Sequence, residues 1–299
     1  MAESATDRAP TWLTGQGRGP QLKWHAETNG PGCMTYSRET GELFAGDANG
    51  QLSRFDFHGK LLAVCELPGP IVALSWSDDG SQGAAIIGEE TVVRLNPQLQ
   101  VMQTLQPADV CLSLAVSPFG NHLAVGLANG TTQIYNERKR RIARFETVRP
   151  LAFLEFCTSE AILFGAAEHG FVGCFNLAGA QIWKQANWSN VGGLSTTGMG
   201  DFIYLASFGH GIQVLDADGI AIGSYMLEGT INHVSSSFEP DRLVASTIEG
   251  QLYWMNSAGE LVWSTTVNDD IAALTCGPLG NSAIIWLAKS GLFKLEWQR

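Results

Sequence analysis

An apolar residue returns every 40 positions, seven times over: Met34, Leu74, Leu114, Leu154, Leu194, Val234 and Leu274. A polar column keeps the same step through Asp56, Asn96, Asn136, Asn176, Asp216, Asn256 and Glu296. Glycine holds a third column at Gly80, Gly120, Gly200 and Gly280. A period of this length marks a repeat architecture, in which each unit buries its apolar face only against its neighbours. Length alone would suggest two domains for 299 residues, but the repeat spans nearly the whole chain and predicts one body.

One unit, residues 110–147, reads as four short strands. VCLSLAVS alternates large and small side chains, and SPFGN supplies a Pro- and Gly-containing turn. HLAVG follows, then LANG with an Asn-Gly hairpin signal, then TTQIYN, rich in β-branched and aromatic residues. After the polar ERKRR, RIARFET makes the fourth strand. Four strands per 40 residues is the arithmetic of a propeller blade. The Asp/Asn column falls at the end of the third strand, where a short polar side chain bonds its own backbone and starts a turn. Glycine follows at Gly59, Gly179, Gly219 and Gly259.

The seventh unit has three strands and no fourth. Residues 19–28, GPQLKWHAET, resemble the fourth strands at residues 259–267 and 179–188, with Trp24 at the position of Trp183 and Trp263. The expectation is an all-β, seven-bladed β-propeller over residues 20–299, closed by an N-terminal strand that completes the last blade and removes an exposed edge. Residues 1–19 are expected as a flexible N-terminal tail, except for the pair Trp12-Leu13, which can pack on the ring or on a partner.

The segment VSPFGNHLAVGLANGTTQIYN, residues 116–136, resembles a WD repeat, with Tyr135-Asn136 and Phe55-Asp56 where that family has Trp-Asp. No unit carries Trp-Asp itself, and none opens with Gly-His. Other units, such as GQLYWMNSAGELVW at residues 250–263, are similar to the quinoprotein-type repeat. The resemblance implies the fold and no single activity, because propellers host many unrelated functions.

A net charge of −11 opposes nucleic-acid binding, which needs a basic field to neutralise phosphates. No run approaches the ~18 apolar residues of a membrane helix, and residues 1–14 lack the pattern of a secretory signal. The six cysteines, Cys33, Cys65, Cys111, Cys157, Cys174 and Cys276, form no CxxC pair and sit in apolar strands. They read as reduced thiols in a cytoplasmic protein, with no metal and no cofactor expected.

No nucleophile–base–orienter set stands out, and no Gly-x-Ser-x-Gly elbow occurs. Charge placement says more. Loops joining strand two to three, and strand four to the next blade, share one face of a propeller. Here they carry Asp47, Glu89, Glu90, Asp109, Glu168, Glu228, Glu249, Asp269 and Asp270 against Arg149 and Lys289. His169 and His210 occupy equivalent hairpin positions on the same face. Such a face steers basic partners. The opposite face offers Arg138, Lys139, Arg140 and Arg141 as a second dock, for an acidic segment. The sequence therefore reads as a non-enzymatic protein-interaction scaffold, monomeric outside its complex, whose partner carries a basic segment. The alternative is a small-molecule or hydrolase-type site in the central channel, where Glu155 and His233 stand among small or apolar residues.

Overall fold

The structure, a computed structural model, describes residues 10–186 and 189–298. Seven antiparallel sheets of four strands form a ring, and one of them gains a fifth strand. Blade one runs through Gly32–Ser37, Glu42–Asp47, Gln51–Phe55 and Leu61–Glu66, and the order repeats through blade six, which ends at Leu261–Thr266. First strands of consecutive blades lie side by side around the axis, and Ile271–Cys276 of blade seven meets Gly32–Ser37 of blade one.

Burial grades outward from this arrangement. Second strands are covered by a blade on either side, so Gly83–Ile87 and Ser282–Leu287 are buried at every residue. That double cover explains their continuous apolar runs, where a half-exposed strand would alternate. Outermost strands have one neighbour only, and Ala221–Tyr225 is exposed along most of its length. The core lies between blades: Phe44 and Leu52 of blade one pack with Ile71, Trp76 and Val93 of blade two. The Phe44 and Trp76 rings stack with centroids 3.6 Å apart.

The polar column builds the turn expected of it. Asn96 Oδ1 accepts the N–H groups of Gln98 and Gln100 at 3.0 and 2.9 Å. Asp56, Asn176, Asp216 and Asn256 repeat the pair of bonds. The residue three further on takes positive φ, near 80° at Gly59, Gly179, Gly219 and Gly259. Leu99 and Lys139 occupy the same position at 61° and 63° without being glycine.

The ring closes as the repeat arithmetic requires. Gln21–Ala26 pairs antiparallel with Gly291–Glu296, placing Gln21 opposite Glu296 and Ala26 opposite Leu292. Lys23 and Glu296 add an ion pair at 2.5 Å. Of the segment expected as a tail, residues 1–9 lie outside the described residues. Residues 10–19 are seated on blades six and seven. Thr11–Thr14 forms a short 3-10 helix that buries Leu13, and Trp12 meets Phe293 edge-on at 5.4 Å. Gln16–Gly17 then pairs with Ser264 and Trp263, the fifth strand of blade six.

Candidate functional site

Loops from the two connection types do share one face. Backbone bonds tie them together: Cys111 N–H donates to Glu89, Val191 to Glu168, Ile248 to Thr230 and Ala288 to Asp270. The acidic residues on this face fall into two groups. Asp47 is buried and accepts the N–H groups of Asn49 and Gln51, both at 2.9 Å. Asp109 accepts from Val110, Glu249 from both donors of Thr230, and Asp269 from Lys289 and Ser290. Asp47 and Asp109 serve their own turns, and Glu249 and Asp269 each bond a neighbouring loop. Glu89, Glu90, Glu168, Glu228 and Asp270 are exposed, and no hydrogen bond or ion pair holds their carboxylates among the described residues. They come from different blades and from loops whose backbones are fixed.

His169 and His210 are exposed on neighbouring hairpins, linked by the His169–Asn190 bridge and the bond from Phe208 N–H to Asn190. Among the described residues, no three His, Cys, Asp or Glu side chains gather closely enough to hold a metal ion. On the opposite face, Arg138, Lys139, Arg140 and Arg141 are exposed at one turn of blade three. Lys139 Nζ donates to the Met102 carbonyl at 2.6 Å.

The channel holds charges that the column reading did not pair. Thr35, Ser75, Ala115, Glu155, Ser195, Ser235 and Thr275 line a cavity of about 190 Å³ at the axis. Ser75, Ser195 and Ser235 each accept a backbone N–H from the next blade, at 2.9, 3.0 and 2.9 Å. Glu155 does the same with Thr196 at 3.0 Å. Beside it, Arg38 Nε donates to Asp78 Oδ1 at 2.7 Å. Burial pushes Glu155 up to about 7, against the pull of the Arg38 charge and the Thr196 N–H. His233, also on an innermost strand, is held below the usual imidazole range by burial. Arg38 and Asp78 stand 40 residues apart in one repeat column, which is the signal that could have joined them.

The cysteines are unpaired thiols, and burial pushes Cys33 and Cys174 up to about 12, well away from thiolate reactivity. No helix among the described residues is long and apolar enough to cross a membrane. The sequence matches no protein-family model and no curated protein.

Proposed function

We propose that this protein is a non-enzymatic scaffold that seats a basic segment of a partner protein on its acidic loop face. The exposed carboxylates of Glu89, Glu90, Glu168, Glu228 and Asp270 carry this reading. They project from loops tied to one another by backbone bonds, so a partner meets a preorganised charge pattern. Each solvated ion pair contributes only about 0.2–1 kcal/mol, and four together amount to about 1–4 kcal/mol, from roughly fourfold to several hundredfold in affinity. The turn Arg138, Lys139, Arg140 and Arg141 faces the other way and suits an acidic segment. The mix of WD-like and quinoprotein-like units supports reading the chain as a divergent member of that broad group. It works in the cytoplasm, where its thiols stay reduced.

The test uses an arginine-rich peptide of about ten residues, titrated against the protein and a variant carrying Glu89→Gln, Glu168→Gln, Glu228→Gln and Asp270→Asn. Glu249 and Asp269 are left intact because each bonds a neighbouring loop, at Thr230 and at Ser290. The variant binds about tenfold more weakly at low salt, and the gap closes at high salt as screening removes the field. Equal affinity at both salts rejects the acidic face.

A second reading rests on Glu155. A channel carboxyl that titrates near 7, beside the Arg38–Asp78 pair, is suited to proton transfer on a small polar molecule. Its test is a ligand-induced rise in melting temperature that Glu155→Ala abolishes.

A further inference from the structure

On the face opposite the acidic loops, turns of blades three and five pair by repeat position. Phe119 and Met199 stand 80 residues apart, each just before the positive-φ glycine of its first-to-second-strand turn, Gly120 and Gly200. Both are apolar and solvent-exposed, at 55% and 50%. Arg138 and Asp218 are likewise 80 residues apart, at one position of the third-to-fourth-strand turns. Both are exposed, and neither side chain has a hydrogen bond or ion pair among the described residues. Arg140 of blade three and Asp201 of blade five are exposed and equally uncommitted.

Hydrogen bonds hold these turns in place. Asp79 N–H donates to Pro118 at 3.2 Å and Thr158 N–H to Gly198 at 3.1 Å. The Ser159 hydroxyl donates to the Met199 carbonyl at 3.1 Å. Asp216 Oδ1 accepts the N–H groups of Asp218 and Ile220, and Asn136 Oδ1 accepts that of Arg140. Blade four, between them, presents little bulk and little charge. Ser159 and Ala178 occupy its equivalent positions, and both are exposed. Glu160 is the one charged residue in its two turns on this face, residues 158–161 and 176–180.

We infer that blades three to five bind a second copy of the chain through this face, about a two-fold axis that lies in the plane of the face and passes over blade four. Equivalent turns lie at equal distance from the propeller axis. The two-fold therefore seats Phe119 of one copy against Met199 of the other, and Arg138 of one against Asp218 of the other. Each contact occurs twice, as an isologous interface requires. The small, neutral Ser159 and Ala178 let the faces approach near the axis. Apolar contacts flanked by opposite charges have the make-up of an interface centre and its rim. The inference rests on the reading that the Arg138 turn takes an acidic segment, and it names that segment as the blade-five turn of a second copy. It departs from the monomer that the sequence suggests.

The test reverses charge on the full-length protein in two variants, Arg138→Glu/Arg140→Glu and Asp201→Arg/Asp218→Arg. All four positions are exposed, and thermal melts verify the folds. Sedimentation velocity at low salt should show dimers of the unaltered protein, and self-association at least about tenfold weaker in each variant alone. An equimolar mixture of the two should pair again, because both contacts then join an acidic turn to a basic one. Phe119→Ser/Met199→Ser should weaken the dimer at low and high salt alike, since salt screens only the charges. Glu160 meets its own copy across the axis, so Glu160→Gln should tighten the dimer, and loosening would overturn the proposed axis. A protein that stays monomeric at high micromolar concentration overturns the inference. So does a dimer that both reversals leave intact, or a mixture that does not pair. If an acidic peptide then binds the monomer and is lost on Arg138→Glu/Arg140→Glu, the acidic-segment reading stands without the dimer. If it does not bind, both fall.

Discussion

Glu155 of blade four accepts the backbone N–H of Thr196 in blade five, the same bond to the next blade that Ser75, Ser195 and Ser235 make. A hydroxyl performs this inter-blade link without charge. The carboxylate performs it at the cost of burying one, and its ionisation moves from 4.5 to about 7. Between those values the folded protein keeps a proton that the unfolded chain has released, so stability falls as pH rises through the window.

Glu155→Gln keeps the acceptor and removes the titration. At pH 8 the variant should be more stable by about 3–4 kcal/mol, at about 1.4 kcal/mol per pKa unit over the shift from 4.5 to about 7. Near pH 4.5 the two proteins should unfold alike. Urea melts at both values check this, and a gap that does not change with pH would mean that Glu155 ionises freely in the channel.

Two turns put an ordinary residue where their equivalents have glycine. Lys139 holds φ 63° and is exposed, so Lys139→Gly relieves a left-handed backbone costing about 1–2 kcal/mol. Against this stand the extra entropy of glycine in the unfolded chain, about 0.5–1 kcal/mol, and the surface bond to Met102. The net expectation is a gain of up to about 1 kcal/mol. Leu99 has the same φ but is 3% exposed in the core between blades one and two. Leu99→Gly should therefore destabilise by about 2–4 kcal/mol, since lost packing outweighs relieved strain. Thermal melts of the pair should move in opposite directions.

Local chemistry made most of the fold legible. The Asn136 turn and its relatives need only residues within four positions, and the 40-residue comb carries them around the ring. Trp24 identified the closing strand by matching Trp183. The channel was harder to read. Glu155 stood out in its column, but Arg38 and Asp78 lie in another, and only the ring brings the two columns to one axis. The acidic face was legible as a set and misleading in detail, because a carboxylate that caps a turn reads like one that faces solvent. Asp47 is of the first kind and Glu89 and Glu168 of the second, while Glu249 is exposed and also bonds Thr230 of the neighbouring loop.

Two truncations separate the closing strand from the segment before it. Removing residues 1–19 uncovers Trp263 and takes away Leu13, side chains whose full burial is worth about 1.5–3 kcal/mol each. The melting temperature should fall while the oligomeric state is unchanged. Removing residues 1–27 also strips Gln21–Ala26 and bares the Gly291–Glu296 edge, so this form should melt lower still and self-associate. Light scattering and melts on both forms test the order. If the longer deletion melts with the shorter one, the closing strand adds nothing.

Arg94 is a cation 2% exposed, with three oxygen acceptors. One guanidinium reaches Gln82 Oε1 in its own blade at 2.8 Å, and the carbonyls of Gly120 and Asn136 in blade three at 2.9 and 2.8 Å. Only a planar fork with several donors can span acceptors on two turns at once. Arg94→Met fills most of the volume but leaves buried acceptors unpaired, each costing about 1–3 kcal/mol. The expected loss is about 3–5 kcal/mol. Arg94→Lys keeps the charge and is expected to recover less than half of that, because an ammonium cannot bridge both turns. Burial already holds Arg94 below the usual guanidinium range, and a lysine there would be pressed further toward its neutral form. Urea denaturation of both variants decides the matter. Full rescue by lysine would mean that charge alone, and not the fork, joins blades two and three.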